Sequence, residues 1–357
     1  MNNKKADKMT KIHSGCSGIA IGLIMFAVAV LFLFFNEQNF VNIVKQTDFA
    51  KRNAIELTSN TPSPANNNKL VQLSGFVYSN QKLSDGIVSI PNSIVLKRTT
   101  EIYQWHEIYN SNNQNYQYKK EWDSELTDSD FFEKSEYKNP KTYKYKPLEI
   151  YAKNVSLGRF YLSEDIIKEI NPTVKLQQLP YNNKFKIYNG FYFTGKDYDN
   201  PNIGDEKLFY SYIPSGKKLS IIAKQSGNRL VPMNTKYGDL IIISNGIKNL
   251  SQMLEEYEEA NSGNTWATRG ICLLLIFIGL NLILQPVLNI TDRIPILGEI
   301  TKFAITISTL IITLALGTIV ISLSWLAVRP EIAIPAIILA VLAIISLRKK
   351  KKIVISE

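Results

Sequence analysis

Residues 15–35 read GCSGIAIGLIMFAVAVLFLFF, and this run decides how the rest of the chain is read. It contains no charge, and a bilayer core about 30 Å thick needs about 20 helical residues to cross it. Three more apolar runs follow: 270–287, interrupted by Asn281 and Gln285; 303–328, free of charge; and 332–347. The last is short, but its Pro335 falls in the first turn, where proline is tolerated. Tilt, local thinning and snorkelling by Arg348 accommodate the missing length. The sequence predicts four spans.

The first run is expected to remain as an anchor. Basic residues precede it, as in a signal peptide, but it ends in Leu33-Phe34-Phe35-Asn36-Glu37 with no small-x-small cleavage site. Ser14-Gly15-Cys16 is no lipoprotein site either, because Cys16 precedes the apolar run instead of following it.

Orientation follows from the flanks. Lys4, Lys5, Lys8 and Lys11 lie before the first span, and Arg348 with four lysines follows the last. Positive flanks stay cytoplasmic, so both termini are expected there. The expected organisation is a basic arm (1–14), first span (15–35), external domain (36–265) and second span (266–287). A cytoplasmic loop (288–302), third span (303–328), external turn (329–331), fourth span (332–347) and basic tail (348–357) complete it. The formal charge of +10 belongs mostly to the flanks; residues 36–265 hold 28 basic and 26 acidic side chains. That pattern is topogenic and argues against a nucleic-acid partner.

The external segment reads mainly as strand. All 18 tyrosines lie between Tyr78 and Tyr257. Strands are expected at 70–78, 87–90, 93–109, 116–125, 145–153, 185–193, 207–212, 219–224 and 240–244, with turns at Ser84-Asp85-Gly86 and in the Asn-rich 110–115. Helices are expected where the first span continues to about Lys51, at 163–170 behind a Ser163 cap, and at 251–260 leading into the second span. Asn60 to Asn68, with two prolines, reads as a linker. The fold class is an α+β membrane protein: four transmembrane helices, with a large, mainly antiparallel-β external domain inserted between helices 1 and 2.

Local strings in this order resemble the LUMA, or transmembrane protein 43, family. They are Leu33-Phe34-Phe35-Asn36-Glu37, Glu101-Ile102-Tyr103-Gln104-Trp105, Glu121-Trp122, Asn139-Pro140, Leu157-Gly158-Arg159-Phe160, LSIIAKQSGNRLVP at 219–232, Gly238-Asp239, Thr265-Trp266 with Arg269-Gly270, and Gly279-Leu280-Asn281-Leu282. Gln38 departs from the glycine the family usually carries there. The resemblance implies a four-span protein with a lumenal or periplasmic domain. It also implies self-association and, in animal members, a place in the endoplasmic reticulum and inner nuclear membrane with a part in nuclear-envelope organisation. It brings no catalytic activity and no cofactor. For a bacterial chain, towards which the Asn-, Lys- and Ile-rich composition points, the expected site is the inner membrane.

Two His and two Cys are too few for most metal clusters or a disulfide framework. His106 shares a strand face with Ile102 and Ile108, so it reads as a structural residue. Cys272, inside the second span, reads as an inert thiol. Asn154-Val155-Ser156 and Asn249-Leu250-Ser251 are glycosylation sequons whose meaning depends on the compartment. Four spans with few intramembrane polar groups speak against a transporter.

One cluster carries the functional question. Asn36 and Glu37 end the first span, Trp266 and Arg269 begin the second, and Trp325, Arg329 and Glu331 surround the last external turn. A charge beside hydrocarbon is costly unless paired, which makes Glu37 and Arg269 natural partners. The cluster either locks the helix ends or forms a lipid-headgroup or ligand site. Asn281 and Gln285, four apart, are expected to face another helix. The expected partners are membrane lipids, further copies of the chain and other membrane proteins.

The orientation is testable by cysteine accessibility. Asn113→Cys is expected to react with a membrane-impermeant maleimide from outside, and Lys350→Cys is not. The opposite labelling would invert the topology.

Overall fold

A helix that is apolar on every side satisfies its own backbone and leaves only side chains to meet lipid, which is why runs of this kind become spans. The computed structural model describes residues 2–111, 113–171, 174–291 and 297–354, with side chains at 18–111, 113–171, 174–287 and 299–347. The side chains of the basic arm, the tail and most of the 288–302 loop lie outside these. Among the described residues there are five α-helices: α1 Asn2–Asn53, α2 Glu164–Glu169, α3 Leu250–Thr291, α4 Leu297–Trp325 and α5 Pro330–Val354. Four contain stretches long and apolar enough to cross a membrane: Gly18–Asn53, Leu250–Val287, Glu299–Trp325 and Pro330–Leu347.

The chain divides into two units. The helical unit comprises Met1–Arg52, Thr235–Gly238 and Leu254–Glu357. In it, α1 runs past its apolar portion without a break and ends on Lys51 and Arg52, cations that suit a helix C-terminus. Glycines bring α1 and α3 together. A Cβ on Gly22 would lie 2.7 Å from the Gly279 carbonyl oxygen, and one on Gly279 would lie 2.9 Å from that of Gly22. Without a hydrophobic drive between helices in lipid, this close backbone approach supplies the packing. Ala29 and Leu33 of α1 then bury with Cys272 and Ile276 of α3, flanked by Val320 and Ile321 of α4.

The second unit, Asn53–Asn234 with Asp239–Met253, is built on β-sheet. Five of its strands close a ring. Leu70–Tyr78 pairs with Ser156–Leu157, which pairs with Phe160–Leu162. Phe160–Leu162 lies parallel to Arg229–Val231, which pairs with Lys217–Ser226, and that strand returns to Leu70–Tyr78. Counted along the chain, the ring order is first, second, third, fifth, fourth, first, the topology of the OB barrel, a five-stranded Greek-key barrel. Helix α2 follows the third strand, capped where the Ser163 hydroxyl accepts from the Ile166 N–H, and sends Ile166 and Ile167 into the core. Ile55–Glu56 and Ile242–Asn245 extend the sheet on either side.

A second sheet grows entirely from the two long connections of the barrel. The connection between its first two strands supplies Ser93–Asn110, Asn115–Asp123 and Leu148–Tyr151. That between the third and fourth supplies Val174–Lys175, Lys186–Tyr188, Phe191–Phe193 and Glu206–Pro214. Its pairings are antiparallel. One core joins both sheets, running from Val71, Leu157 and Phe160 in the barrel to Ile94, Tyr192 and Leu208 outside it.

An ionic knot fixes the first connection. The Asp85 carboxylate accepts from the N–H groups of Ile87 and Val88, from the Tyr210 hydroxyl at 2.7 Å and from the Arg98 guanidinium, and its side chain is wholly buried. Arg98 spends two more N–H groups on the Lys146 carbonyl. Burial pushes the Tyr210 hydroxyl far above the ordinary tyrosine range, so it stays a donor. Asp85→Asn, which leaves Arg98 buried without its counter-charge, is expected to cost about 3–5 kcal/mol. Tyr210→Phe, which removes one hydrogen bond to a charged group, should cost about 1.5–3 kcal/mol. Urea unfolding of the full chain, followed by tryptophan fluorescence, measures both; equal costs would show that the charge pair is not what matters.

Candidate functional site

Glu37 lies on the polar continuation of α1, just beyond the apolar run, and is 0% exposed. Arg269, on α3, is 8% exposed and holds it in a two-pronged grip, Nε to Oε1 at 2.6 Å and Nη2 to Oε2 at 2.7 Å. Trp325, the last residue of α4, donates its indole N–H to Oε2 at 3.0 Å. Asn36 adds a longer contact to Oε1 at 3.4 Å and also donates to the Thr265 carbonyl. A carboxylate has about four lone-pair sites, and here four donors from three helices converge on it.

Aromatic rings close over this ionic centre. The Arg269 guanidinium sits 4.4 Å from the centre of the Trp266 ring, while Phe40 packs against Trp325 at 5.7 Å. Trp266 itself is 65% exposed. Arg329 is exposed and lies 5.7 Å from the Trp325 ring centre. Glu331 is exposed on the first turn of α5 and joins the cluster through no hydrogen bond or ion pair among the described residues. The structure thus brings Asn36, Glu37, Trp266, Arg269, Trp325 and Arg329 together and leaves Glu331 at the margin.

Deeper in the helices, Asn281 donates to the Phe277 carbonyl at 2.8 Å and to the Thr309 hydroxyl of α4 at 3.2 Å. Gln285, one turn further along α3, is exposed, so it does not share the helix-facing position of Asn281. Cys272 is buried against Ala29 and Leu33. His106 is half-buried, its Nε2 3.7 Å from Asp123. Ile108, assigned to the same buried face, is 42% exposed, because the inward alternation of its strand fades towards the hairpin tip. Asn249 caps α3: its side chain accepts from the Gln252 N–H, and Gln252 accepts from the Asn249 N–H.

Sequence reasoning missed four buried charges outside the helices. Asp85 and Arg98 form the knot described above. Glu206 accepts from the N–H groups of Lys144 and Tyr145, and burial raises its carboxyl above the ordinary range against the pull of those donors. Lys207 places its ammonium 4.1 Å from the Trp122 ring centre, with Tyr198 and Phe191 further off and Glu101 at 3.7 Å. The signal for Lys207 was the local density of rings; for the acids there was none, since each looks like a solvated polar residue. No group of three or more His, Cys, Asp or Glu that could hold a metal is present among the described residues.

A saturated carboxylate has little left to offer a ligand or a proton-transfer step, so its chemistry is that of a lock. Arg269→Ala should lower the melting temperature in detergent, with a cost approaching the roughly 3–5 kcal/mol of a broken buried pair. Glu37→Gln combined with Arg269→Gln should cost clearly less than the two singles together. Additive singles would show that the two side chains do not act as a pair.

A family model described as Transmembrane protein 43 matches residues 99–330. The rat protein named Transmembrane protein 43 (Rattus norvegicus) is 25% identical over 349 residues, covering 90% of this chain and 87% of its own length. The human protein of the same name (Homo sapiens) is 25% identical over 351 residues, with coverage of 90% and 87%. A homolog from Drosophila melanogaster is 25% identical over 334 residues, 87% of this chain and 89% of the fly protein. No solved structure matches the chain. With four helices fit to cross a membrane, a β-rich domain between the first and second, and a family match over most of its length, this chain belongs to the transmembrane protein 43 family.

Proposed function

We propose that this protein is a multi-pass membrane scaffold that self-associates and recruits other membrane proteins through the domain between its first two spans. The observation that supports this reading is the closure of the Glu37 carboxylate. Its hydrogen-bonding capacity is spent on holding α1, α3 and α4 to one another. A frame locked in this way offers fixed surfaces, which is what assembly needs. In this reading both termini are cytoplasmic and residues 36–265 lie outside, in the periplasm of a bacterium or the lumen of the endoplasmic reticulum and nuclear envelope of a eukaryote.

A second reading rests on the exposed members of the cluster. Trp266 and Arg329 present an indole and a guanidinium beside the apolar runs, where interfacial side chains meet lipid headgroups. In that reading the protein binds or modifies lipids of the outer leaflet.

Crosslinking in native membranes, followed by mass measurement of the solubilised complex, separates the two. A scaffold gives a defined oligomer or a stable hetero-complex. Monomer alone, with no partner retained, sinks the scaffold reading. Co-purified lipid that is lost on Arg329→Gln, with melting temperature unchanged, would favour the second.

A further inference from the structure

The outside of the five-stranded barrel keeps large aromatic rings in the open. Directly paired residues on neighbouring strands share a face. Tyr78 pairs with Ser156, Ser156 with Tyr161, and Tyr161 with Arg229, so these four form one row across four strands. The alternate residues Val77, Leu157 and Phe160 are fully buried, which places the Tyr78 row on the outer face. Phe76, two residues before Tyr78, belongs to the same face; its ring centre is 6.3 Å from that of Tyr78 and 5.5 Å from the Lys218 ammonium. Tyr78 is 54% exposed, Tyr161 46% and Phe76 45%.

Polar groups border these rings. A cavity of about 380 Å³ is lined by Tyr78, Ser79, Asn80, Asn92 and Ser215, one ring amid amides and hydroxyls. Lys218, Arg159 and Arg229 are exposed around the row, with no ion-pair partner among the described residues. Tyr78 and Tyr161 are two strand spacings apart, about 10 Å, a distance a disaccharide covers.

We propose that this face is a binding site for an acidic oligosaccharide. The apolar faces of sugar rings stack on Tyr78 and Tyr161, and hydroxyls meet the amides of Asn80 and Asn92. Carboxylate or sulfate groups pair with Arg229, Arg159 and Lys218. The placement agrees by analogy with the OB barrel, where the second and third strands and the loops joining strands one to two and four to five hold oligosaccharides or oligonucleotides. Here those loops contribute Asn80 and Asn92 on one side and the turn before Arg229 on the other. The charge balance favours the sugar. A single-stranded nucleic acid needs a basic track along its phosphates, whereas residues 36–265 carry 28 basic against 26 acidic side chains. The inference goes beyond the scaffold reading and does not depend on it.

The full chain in nanodiscs is titrated with trigalacturonate, cellotriose and a ten-residue oligothymidylate, and binding is read by tyrosine and tryptophan fluorescence and by calorimetry. Trigalacturonate should bind best and weaken with added salt. Tyr78→Ala and Tyr161→Ala should each weaken it about tenfold or more, and Arg229→Gln should reduce the salt dependence. All three positions are exposed, so an unchanged melting temperature confirms that the variants are folded. Failure of trigalacturonate to bind, equal binding by the tyrosine variants, preference for cellotriose, or preference for the oligothymidylate would each overturn the assignment.

Discussion

The carboxylate of Glu37 is the point on which the helical unit depends. It is an acidic side chain at the end of the apolar run of α1, shut away from water, where a charge is unfavourable unless it is compensated. Arg269 compensates it with a planar fork whose two N–H groups match the two carboxylate oxygens, a geometry lysine cannot reproduce. Trp325 supplies a third donor from α4. Ion pairing alone would join two helices; the indole makes it three, and the turn after Trp325 leads directly into α5.

This constraint also explains the packing lower down. Once Glu37 and Arg269 fix α1 to α3, the apolar portions of the two helices lie side by side, and Gly22 with Gly279 permits the approach. Asn281 repeats the theme within the apolar portion, where its amide meets the Thr309 hydroxyl of α4. In lipid such hydrogen bonds are worth about 1–2 kcal/mol at most, so they orient the helices more than they hold them. The large term remains the charge.

The helices and the longer strands are legible in the sequence, because each carries its own period. Leu70–Tyr78 and the hairpin of Ser93–Asn110 with Asn115–Asp123 need only alternation and an Asn-rich turn to be read. The barrel is not legible, because it closes through Ser156–Leu157, Phe160–Leu162 and Arg229–Val231, strands of two or three residues that are too short to show alternation. Its one parallel ring contact joins segments that a long connection and the fourth strand hold far apart in the chain. The Glu37 and Arg269 pair is legible since each is a lone charge beside an apolar run. The third donor is not, because a tryptophan at a membrane boundary already has a sufficient explanation as an interfacial anchor. Asp85 is hidden for a similar reason: within Ser84-Asp85-Gly86 it reads as a turn residue, and only the arrival of Arg98 and Tyr210 from other strands makes it a buried ion.

The outer face of the barrel shows how one strand serves two ends. Along Leu70–Tyr78 the residues that follow Leu70 on the outward face are first polar, Gln72 and Ser74, then aromatic, Phe76 and Tyr78. Gln72 and Ser74 donate to the Lys248 carbonyl, and Ser220, paired with Ser74 across the sheet, accepts from the Lys248 N–H and donates to the Gly246 carbonyl. These bonds satisfy the backbone of the segment that leads into α3, which lies over the polar half of the face. A large ring at position 72 or 74 would displace it and leave buried polar groups without partners, at about 1–3 kcal/mol each. The aromatic half meets no such segment among the described residues and stays open. Hydroxyls and amides therefore stand where the barrel must hold its own chain, and rings stand where it does not, so the exposed rings are a consequence of which half of the strand the fold had already used.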